Sequence, residues 1–346
     1  MELALRINEV AFGGSGVGKA DGKVIFVPFS IDGELLQVRI TQSHKSFSLA
    51  SVQAILQTSP HREKPPCPYY QTCGGCDYQH IQYAHQLELK RLQVEQALRR
   101  IAKLPEIAVP PVIPSPKIYG FRNRITIHSD GHAIGFFRKR SREIVDIARC
   151  ALASDIVNSK LAELRHQGLA AGSHATVRED DAIATFTQTN DEVARKIVDY
   201  IRKRGKGSFL VDAYCGSGFF AHQLAPAFET VIGIEWNQVA CDLAARSALA
   251  HEKYYCGDAA DLLPQVLRNN RVSTLLLDPP ADGLTKQVCA TICEFSPGTV
   301  IYISCNPATF ARDLSRLRPN FRLIEVQPFD MFPQTAEIEL AALLEP

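Results

Sequence analysis

Along the first part of the chain, apolar and polar positions alternate with a period of two. Leu3–Val10, Lys23–Phe29, Leu35–Ile40 and Ser46–Leu56 read as strands, separated by Gly-rich or Asp-Gly turns. Short strands in so small a span predict a closed barrel of OB-like size over residues 1–57. Residues 58–76 are rich in Pro and Cys and read as a loop. Leu87, Leu92, Leu98 and Ile101 recur near helical spacing and predict a helix over 81–103, with Lys90, Arg91, Arg99 and Arg100 on its wetter sides. Pro105, Pro110, Pro111, Pro114 and Pro116 mark a stiff connector. Antiparallel strands are expected over 117–150 about the Asp130-Gly131 turn, then a helix over 152–167 and strands over 174–188.

From about residue 190 the pattern becomes helix and strand in alternation. A helix precedes Ser208–Ala213, and Thr230–Glu235, Ser273–Asp278 and Thr299–Ser304 are further apolar strands. Such alternation predicts an open, mostly parallel α/β sheet of Rossmann-like type. Three domains follow: the barrel at 1–57, a small α+β central domain at 58–188, and the α/β domain at 189–346.

Charge and composition narrow the partners. The net charge is +1, so any nucleic-acid surface must be local. No apolar run approaches the ~18 residues of a membrane span, and Met1–Arg6 lacks the order of a signal peptide. A cytoplasmic monomer without a membrane partner is expected. Ten cysteines in such a protein suit metal binding and catalysis better than disulfides. Cys67, Cys73 and Cys76 lie close in sequence and Cys150 far away. This set is consistent with a four-cysteine zinc site or with an iron–sulfur cluster, and spacing alone does not choose.

Gly13-Gly14-Ser15-Gly16-Val17-Gly18-Lys19 imitates a phosphate loop. Ala20 stands where the magnesium-holding hydroxyl belongs, and a turn and strand follow instead of a helix, so a flexible barrel loop is expected. A better nucleotide-like site lies at Leu210–Gly218, an apolar strand running into Cys215-Gly216-Ser217-Gly218. The next strand ends at Glu235, placed to accept both hydroxyls of a ribose. Gly216, Gly218 and Ala221 would also suit a dinucleotide site. Leu277-Asp278-Pro279-Pro280 points away from a dehydrogenase, because it puts an acid and two stiffening prolines at a strand's carboxyl end, as enzymes that methylate a planar base often do.

Tyr302-Ile303-Ser304-Cys305-Asn306-Pro307 places a cysteine just past another strand end, before a helix whose N-terminus favours a thiolate. Glu337 and Glu339, two apart, would share one face of a strand and supply a base.

These residues resemble the TRAM-domain RNA 5-methyluridine methyltransferases over nearly the whole chain. The resemblance implies a TRAM RNA-binding barrel at 1–57 and a class I S-adenosylmethionine-dependent methyltransferase domain at 189–346. Cys305, in Ser304-Cys305-Asn306-Pro307-Ala308-Thr309, matches the family's nucleophile. Glu339 matches its general base in Phe332-Pro333-Gln334-Thr335-Ala336-Glu337-Ile338-Glu339. Gln188, within Phe186-Thr187-Gln188-Thr189-Asn190, falls on a cofactor-contact position, as do Tyr214, Glu235, Asp278 and Asp258. The likeness favours a [4Fe–4S] cluster over zinc at Cys67, Cys73, Cys76 and Cys150. It implies a uridine in rRNA or tRNA as the target. Phe219, Ala281 and Glu337 depart from the family's usual Asn, Arg and His.

The chemistry accounts for such a pair. C5 of uracil is a weak nucleophile until a thiolate adds to C6, and a base must later remove the C5 proton. Residues 117–150 hold eight Lys or Arg (Lys117, Arg122, Arg124, Arg138, Lys139, Arg140, Arg142 and Arg149) against three acids, with Phe121, Phe136 and Phe137 interleaved. Basic groups neutralise phosphates and exposed rings stack on unpaired bases. The competing readings are a 5-methylcytidine enzyme and an RNA-binding protein with a degenerate catalytic domain.

Overall fold

The computed structural model describes residues 1–180 and 188–346. Phe186 and Thr187, with the far end of the strand expected over 174–188, lie outside them. The chain divides into two compact units. One gathers Met1–Lys90, Pro116–Glu179 and Phe332–Glu337; the other gathers Arg91–Ser115, Asp180–Met331 and Ile338–Pro346.

The first unit opens with a six-stranded sheet of β1 (Glu2–Arg6), β2 (Glu9–Val10), β3 (Ser15–Ala20), β4 (Lys23–Pro28), β5 (Leu35–Ser43) and β6 (Phe47–Gln57), in the order β1-β5-β6-β4-β3-β2. Alternate residues point inward, so Leu5, Ile25, Val27, Leu36, Val38 and Ala50 form its core. The expected strand Leu3–Val10 is two strands. The chain leaves β5 and joins β3 where the Asn8 N–H donates to the Val17 carbonyl.

The glycine run is a correction. Gly13 and Gly14 do form a turn, with φ 89° and 84°, but from Ser15 onward the expected loop is strand β3, where Gly16 and Gly18 serve close packing. A Cβ on Gly16 would stand 2.1 Å from Ser30 Oγ, and one on Gly18 2.5 Å from the Arg6 carbonyl.

Helix α1 (Tyr83–Arg100) follows, then β7 (Arg124–Ser129), β8 (Ile134–Phe137), β9 (Ile144–Asp146), α2 (Asp155–Gln167) and β10 (His174–Arg178). The second sheet runs β10-β7-β8-β9. Helix α2 starts at Ser154, whose hydroxyl accepts from the Val157 N–H. It buries Val157 and Leu161 with Ile125, Ile127, Val145 and Val177 of the sheet. Phe121 is buried and Phe136 packs against this core, so of the three interleaved rings only Phe137 is exposed.

The second unit contains α3 (Asp191–Arg204), β11 (Phe209–Ala213), α4 (Phe219–Leu224), β12 (Thr230–Glu235), α5 (Gln238–Arg246), β13 (Glu252–Cys256), α6 (Ala259–Asn269), β14 (Thr274–Leu277), α7 (Lys286–Phe295), β15 (Thr299–Ser304), α8 (Pro307–Leu317), β16 (Arg322–Phe329) and β17 (Glu339–Glu345). The sheet order is β13-β12-β11-β14-β15-β17-β16, parallel from β13 to β15, with β17 antiparallel to both neighbours. Strands covered on both faces read as unbroken apolar runs, as in Leu275–Leu277 and Val300–Ile303. Helix α8 buries Phe310, Leu314 and Leu317, each worth about 1.5–3 kcal/mol. Strand order reverses between β11 and β14, and a crevice opens beyond their carboxyl ends. No helix among the described residues is long and apolar enough to cross a membrane.

Candidate active site

Beyond β11 the backbone turns tightly. Tyr214 takes a left-handed conformation with φ 66°, and Gly216 and Gly218 have φ 54° and 82°. Gly218 begins α4 without a side-chain cap. Asp212 anchors the turn from below, its Oδ2 accepting from the Ala221 N–H at 3.0 Å. Burial, and then the neighbouring Asp278 charge, push the Asp212 carboxyl well above the usual carboxylate range.

Glu235 ends β12, buried. Its two oxygens accept from the Gly216 N–H at 2.9 Å and the Asn237 N–H at 2.8 Å. These bonds hold the carboxylate rigid at the crevice. Asp258 caps α6 through the Ala260 N–H at 2.8 Å. A cavity of about 480 Å³ is lined by Tyr214, Glu235, Trp236, Asp258, Asp278 and Asp282 among others. Four predicted contact residues (Tyr214, Glu235, Asp258 and Asp278) therefore meet in one place, and Asp282 adds a fourth carboxylate. Burial pushes Asp278 up to about 7. An acid-lined cavity of this size suits a ligand that carries positive charge and a ribose.

Cys305 follows the last residue of β15 and is half-buried. Asn306 caps α8 with its Oδ1, accepting from the Ala308 N–H at 3.0 Å and the Thr309 N–H at 3.4 Å. Its Nδ2 donates to the Ala281 carbonyl at 3.3 Å, and the Thr309 hydroxyl donates to the same carbonyl at 2.9 Å. The acid-Pro-Pro loop is thus tied to the turn that carries Cys305. Asp313, which the sequence reading missed, is a buried hub here. Its Oδ2 accepts from the Leu284 N–H at 2.7 Å and the Tyr302 hydroxyl at 3.0 Å. Arg312 and Arg316 pair with its Oδ1.

Glu339 is the first residue of β17 and is buried. Strands β15 and β17 pair antiparallel, the last pair being Ser304 with Leu340. One further step of that register sets Cys305 opposite Glu339. The expectation that Glu337 and Glu339 share a strand face does not hold. Glu337 precedes the strand and is exposed, its N–H turned to the Thr335 hydroxyl. Gln188 is half-buried just before Asn190, which caps α3. Cys305, Glu339 and Gln188 are not among the residues lining the acid-rich cavity.

In the first unit, Cys67, Cys73, Cys76 and Cys150 line one small cavity of about 60 Å³ with Gln79 and Arg122. The Gly74 N–H donates to the Phe137 carbonyl at 2.9 Å, docking the cysteine loop on β8. Asn158 holds Cys150 from both sides: its Oδ1 accepts from the Cys150 N–H at 2.9 Å and its Nδ2 donates to the Cys150 carbonyl at 3.0 Å. Burial raises the thiols of Cys73, Cys76 (to about 12) and Cys150. Among the described residues no three His, Cys, Asp or Glu side chains converge as a single metal ion requires.

Family models match the chain twice: the TRAM domain over residues 2–52, and tRNA (uracil-5-)-methyltransferase over residues 261–346. A Bdellovibrio bacteriovorus RNA methyltransferase is 32% identical over 99% of this chain and 95% of its own. The chain belongs to the RNA (uracil-C5) methyltransferases, which use S-adenosylmethionine. A relative in this family, the Schizosaccharomyces pombe tRNA (uracil(54)-C(5))-methyltransferase, is 26% identical over 98% of this chain and 77% of its own. The crystal structure of the Pyrococcus abyssi tRNA (uracil-54, C5)-methyltransferase, in complex with S-adenosylhomocysteine, superposes with a TM-score of 0.74 at 25% identity, covering 99% of this chain and all of that one.

Against the family pattern, the departure at Ala281 leaves the loop's tie intact, because the tie uses the Ala281 carbonyl. Phe219 opens α4 with its ring edge-on to Phe220 and brings no polar group to that turn.

Proposed function

We propose that this RNA (uracil-C5) methyltransferase forms 5-methyluridine in tRNA or rRNA, with Cys305 as nucleophile and Glu339 as general base. The observation that carries the reading is the β15–β17 register, which directs a thiol and a buried carboxylate to one strand end beside an acid-lined cavity. The Cys305 thiolate adds to C6 of the uracil, and the C5=C6 electron pair moves toward C5 and O4. S-adenosylmethionine, when bound, would supply the electrophilic methyl group that C5 takes up, its sulfonium S–CH3 bond breaking to leave the neutral thioether. Glu339 then takes the C5 proton, the double bond re-forms, and the C6–S bond breaks to return the thiolate. The N-terminus of α8 stabilises that thiolate at the start and the end of the cycle.

Tyr214, Glu235, Asp258, Asp278 and Gln188 are assigned to the cofactor. Glu235 accepts the ribose hydroxyls on lone pairs left by its two backbone donors. Asp278, Asp258 and Asp282 give the cavity the charge that a sulfonium and an ammonium require. The uridine must leave its stack to reach Cys305, so a loop or a flipped base is the target. The names of the fission-yeast and archaeal relatives make tRNA the first RNA to test.

Cys67, Cys73, Cys76 and Cys150 are assigned to a [4Fe–4S] cluster. Tetrahedral zinc, with Zn–S of about 2.3 Å, would bring its sulfurs roughly 3.8 Å apart. A [4Fe–4S] cluster takes four thiolates spread around a larger space, and these four thiols line one cavity. The Arg122 guanidinium lies near enough to favour the thiolate forms. The group would join the loop at 67–76 to the strand region ending at Cys150. The three parts then become a TRAM barrel, a cluster-bearing RNA-contact domain and a methyltransferase domain.

The test is tritium release from RNA labelled at C5 of uridine. Release that needs both the cofactor and Cys305 supports the reading. Methyl transfer to cytidine, with no release from uridine, overturns it.

A further inference from the structure

The cavity lined by Cys67, Cys73, Cys76 and Cys150 holds more than thiols. Phe136, Ile147 and Leu152 give it an apolar wall, and most of its other polar side chains are engaged. The Tyr69 hydroxyl accepts from the Ala148 N–H at 3.0 Å, the Tyr70 hydroxyl donates to the Asp77 carbonyl at 2.5 Å, and Arg149 pairs with Asp155 at the surface. Gln79 and Arg122 are different. Gln79, three residues past Cys76, is fully buried. Its Oε1 accepts from the Cys67 N–H at 3.3 Å, which fixes the orientation of the amide. Its Nε2 is buried with no hydrogen-bond partner among the described residues, and so is Arg122 Nε. The Arg122 main chain is anchored beside the Cys150 segment. Its N–H donates to the Leu152 carbonyl at 2.8 Å, and its carbonyl accepts from the Ser154 N–H at 3.0 Å.

Two orphaned donors on one cavity wall point to an acceptor in the cavity. A buried donor left unmade costs about 1–3 kcal/mol. A neutral thiol answers it poorly, because its sulfur is a weak acceptor. Thiolate and sulfide carry negative charge and answer it well. Gln79 and Arg122 both lie close enough to Cys76 to favour its thiolate against the burial that opposes it.

We propose that Gln79 Nε2 and the Arg122 guanidinium are outer donors to the sulfurs of the group that the four cysteines hold, and that they set its reduction potential. The inference rests on the [4Fe–4S] reading and goes beyond it, to side chains that ligate nothing. Hydrogen bonds and positive charge at the sulfurs stabilise whichever state carries more negative charge. The reduced cluster has one electron more than the oxidised one, so this pair favours reduction and raises the potential.

The test uses the whole protein, purified without oxygen. Iron, sulfide and zinc are measured first. The cluster is then titrated with dithionite and mediator dyes and followed by absorbance and electron paramagnetic resonance. Gln79→Glu keeps an acceptor for the Cys67 N–H and puts a negative oxygen in place of the orphaned donor. At a fixed potential its ratio of reduced to oxidised cluster falls by about tenfold or more, which is about 59 mV for a one-electron couple. Arg122→Met shifts the ratio in the same direction, and Arg122→Lys, which keeps the charge, restores most of it. Arg122→Met also gives an independent reading if Gln79→Glu loads no iron. Variants with a full complement of iron and sulfide at the wild-type potential overturn the role of the two donors and leave the cluster assignment standing. An equal shift in Arg142→Met, which removes a charge from the exposed β8–β9 turn, makes the effect one of net charge and also overturns the proposal. Zinc in place of iron in the unaltered protein overturns the cluster assignment and this inference together.

Discussion

Replacing Asn306 with Asp separates stability from catalysis at the proposed nucleophile, Cys305. Asp caps a helix as well as Asn does, so the bonds from the Ala308 and Thr309 N–H groups at 3.0 and 3.4 Å are kept. The change loses the Nδ2 bond to the Ala281 carbonyl, worth about 0.5–1.5 kcal/mol. It gains about 0.3–1 kcal/mol from a negative charge at the N-terminus of α8. The net is under about 1 kcal/mol, a shift in melting temperature of about 4 °C or less. Catalysis responds differently. A carboxylate next to Cys305, at roughly 6 Å and an effective dielectric of ~20, opposes a thiolate by about 3 kcal/mol. Because Cys305 is only half-buried, solvent screening reduces this to about 1.4 kcal/mol, or tenfold. A new negative charge disfavours the thiolate, so the pH profile of adduct formation moves to higher pH, by about one unit. The assay is the single-turnover rate of covalent RNA–protein complex formation across pH, beside a thermal melt. An unshifted profile in a folded Asn306→Asp protein refutes the thiolate argument. An Asn306→Ala variant, which loses cap and tie without adding charge, melts about 3–8 °C lower and keeps the wild-type profile.

Other consequences follow from the same geometry. Glu235→Ala removes the acceptor of the Gly216 and Asn237 N–H groups, and calorimetry should show cofactor affinity falling by at least about tenfold while RNA binding persists. Asp278, pushed up to about 7, is protonated at lower pH and anionic above it. Affinity for cationic S-adenosylmethionine therefore rises between about pH 6 and 8, and calorimetry of Asp278→Asn should show a flat dependence. Anaerobically purified protein carries iron and sulfide and no stoichiometric zinc, by metal analysis; Cys150→Ala loses the iron, and stoichiometric zinc in the native protein contradicts the cluster assignment.

The α/β unit was legible because its strands are covered on both faces. Val211, Leu275–Leu277 and Val300–Ile303 leave unbroken apolar runs, and each run ends in residues that do not suit a strand interior: Tyr214-Cys215-Gly216, Asp278-Pro279-Pro280 and Cys305-Asn306-Pro307. The acids and the cysteine stand at those breaks, so a strand-end reading found them. Tertiary pairing accounts for what was missed. Gly16 and Gly18 look like phosphate-loop glycines until Ser30 and Arg6 are seen against them. Asp313 reads as an ordinary helical acid until Leu284 and Tyr302 are brought to it.

The loop at 332–337 is a further example. Gln334 takes a left-handed backbone with φ 69°, its N–H donates to Gln86 Oε1 at 3.1 Å, and its carbonyl accepts from the Tyr78 N–H at 3.0 Å. Nothing local marks those partners, some 250 residues away in the chain by the spacing of Gln86 and Gln334. The pairing of Arg124 with Arg178, Thr126 with Thr176 and His128 with His174 between β7 and β10 was hidden for the same reason, since the register is set by strand pairing across a helix. Phe121, offered as an exposed ring, is buried, because alternation alone does not say which face of a strand meets the core.

The measurement that bears most directly on the central claim is the fate of Glu339→Gln with unmodified RNA and S-adenosylmethionine. Without a base for the C5 proton, Cys305 adds and the methyl group is transferred, but the C6–S bond is not released. A methylated RNA–protein complex should accumulate on a denaturing gel, with the added mass confirmed by mass spectrometry and the link mapped to Cys305. A folded, RNA-binding Glu339→Gln protein that forms no such complex, or one whose complex persists in the Cys305→Ala background, would contradict the account.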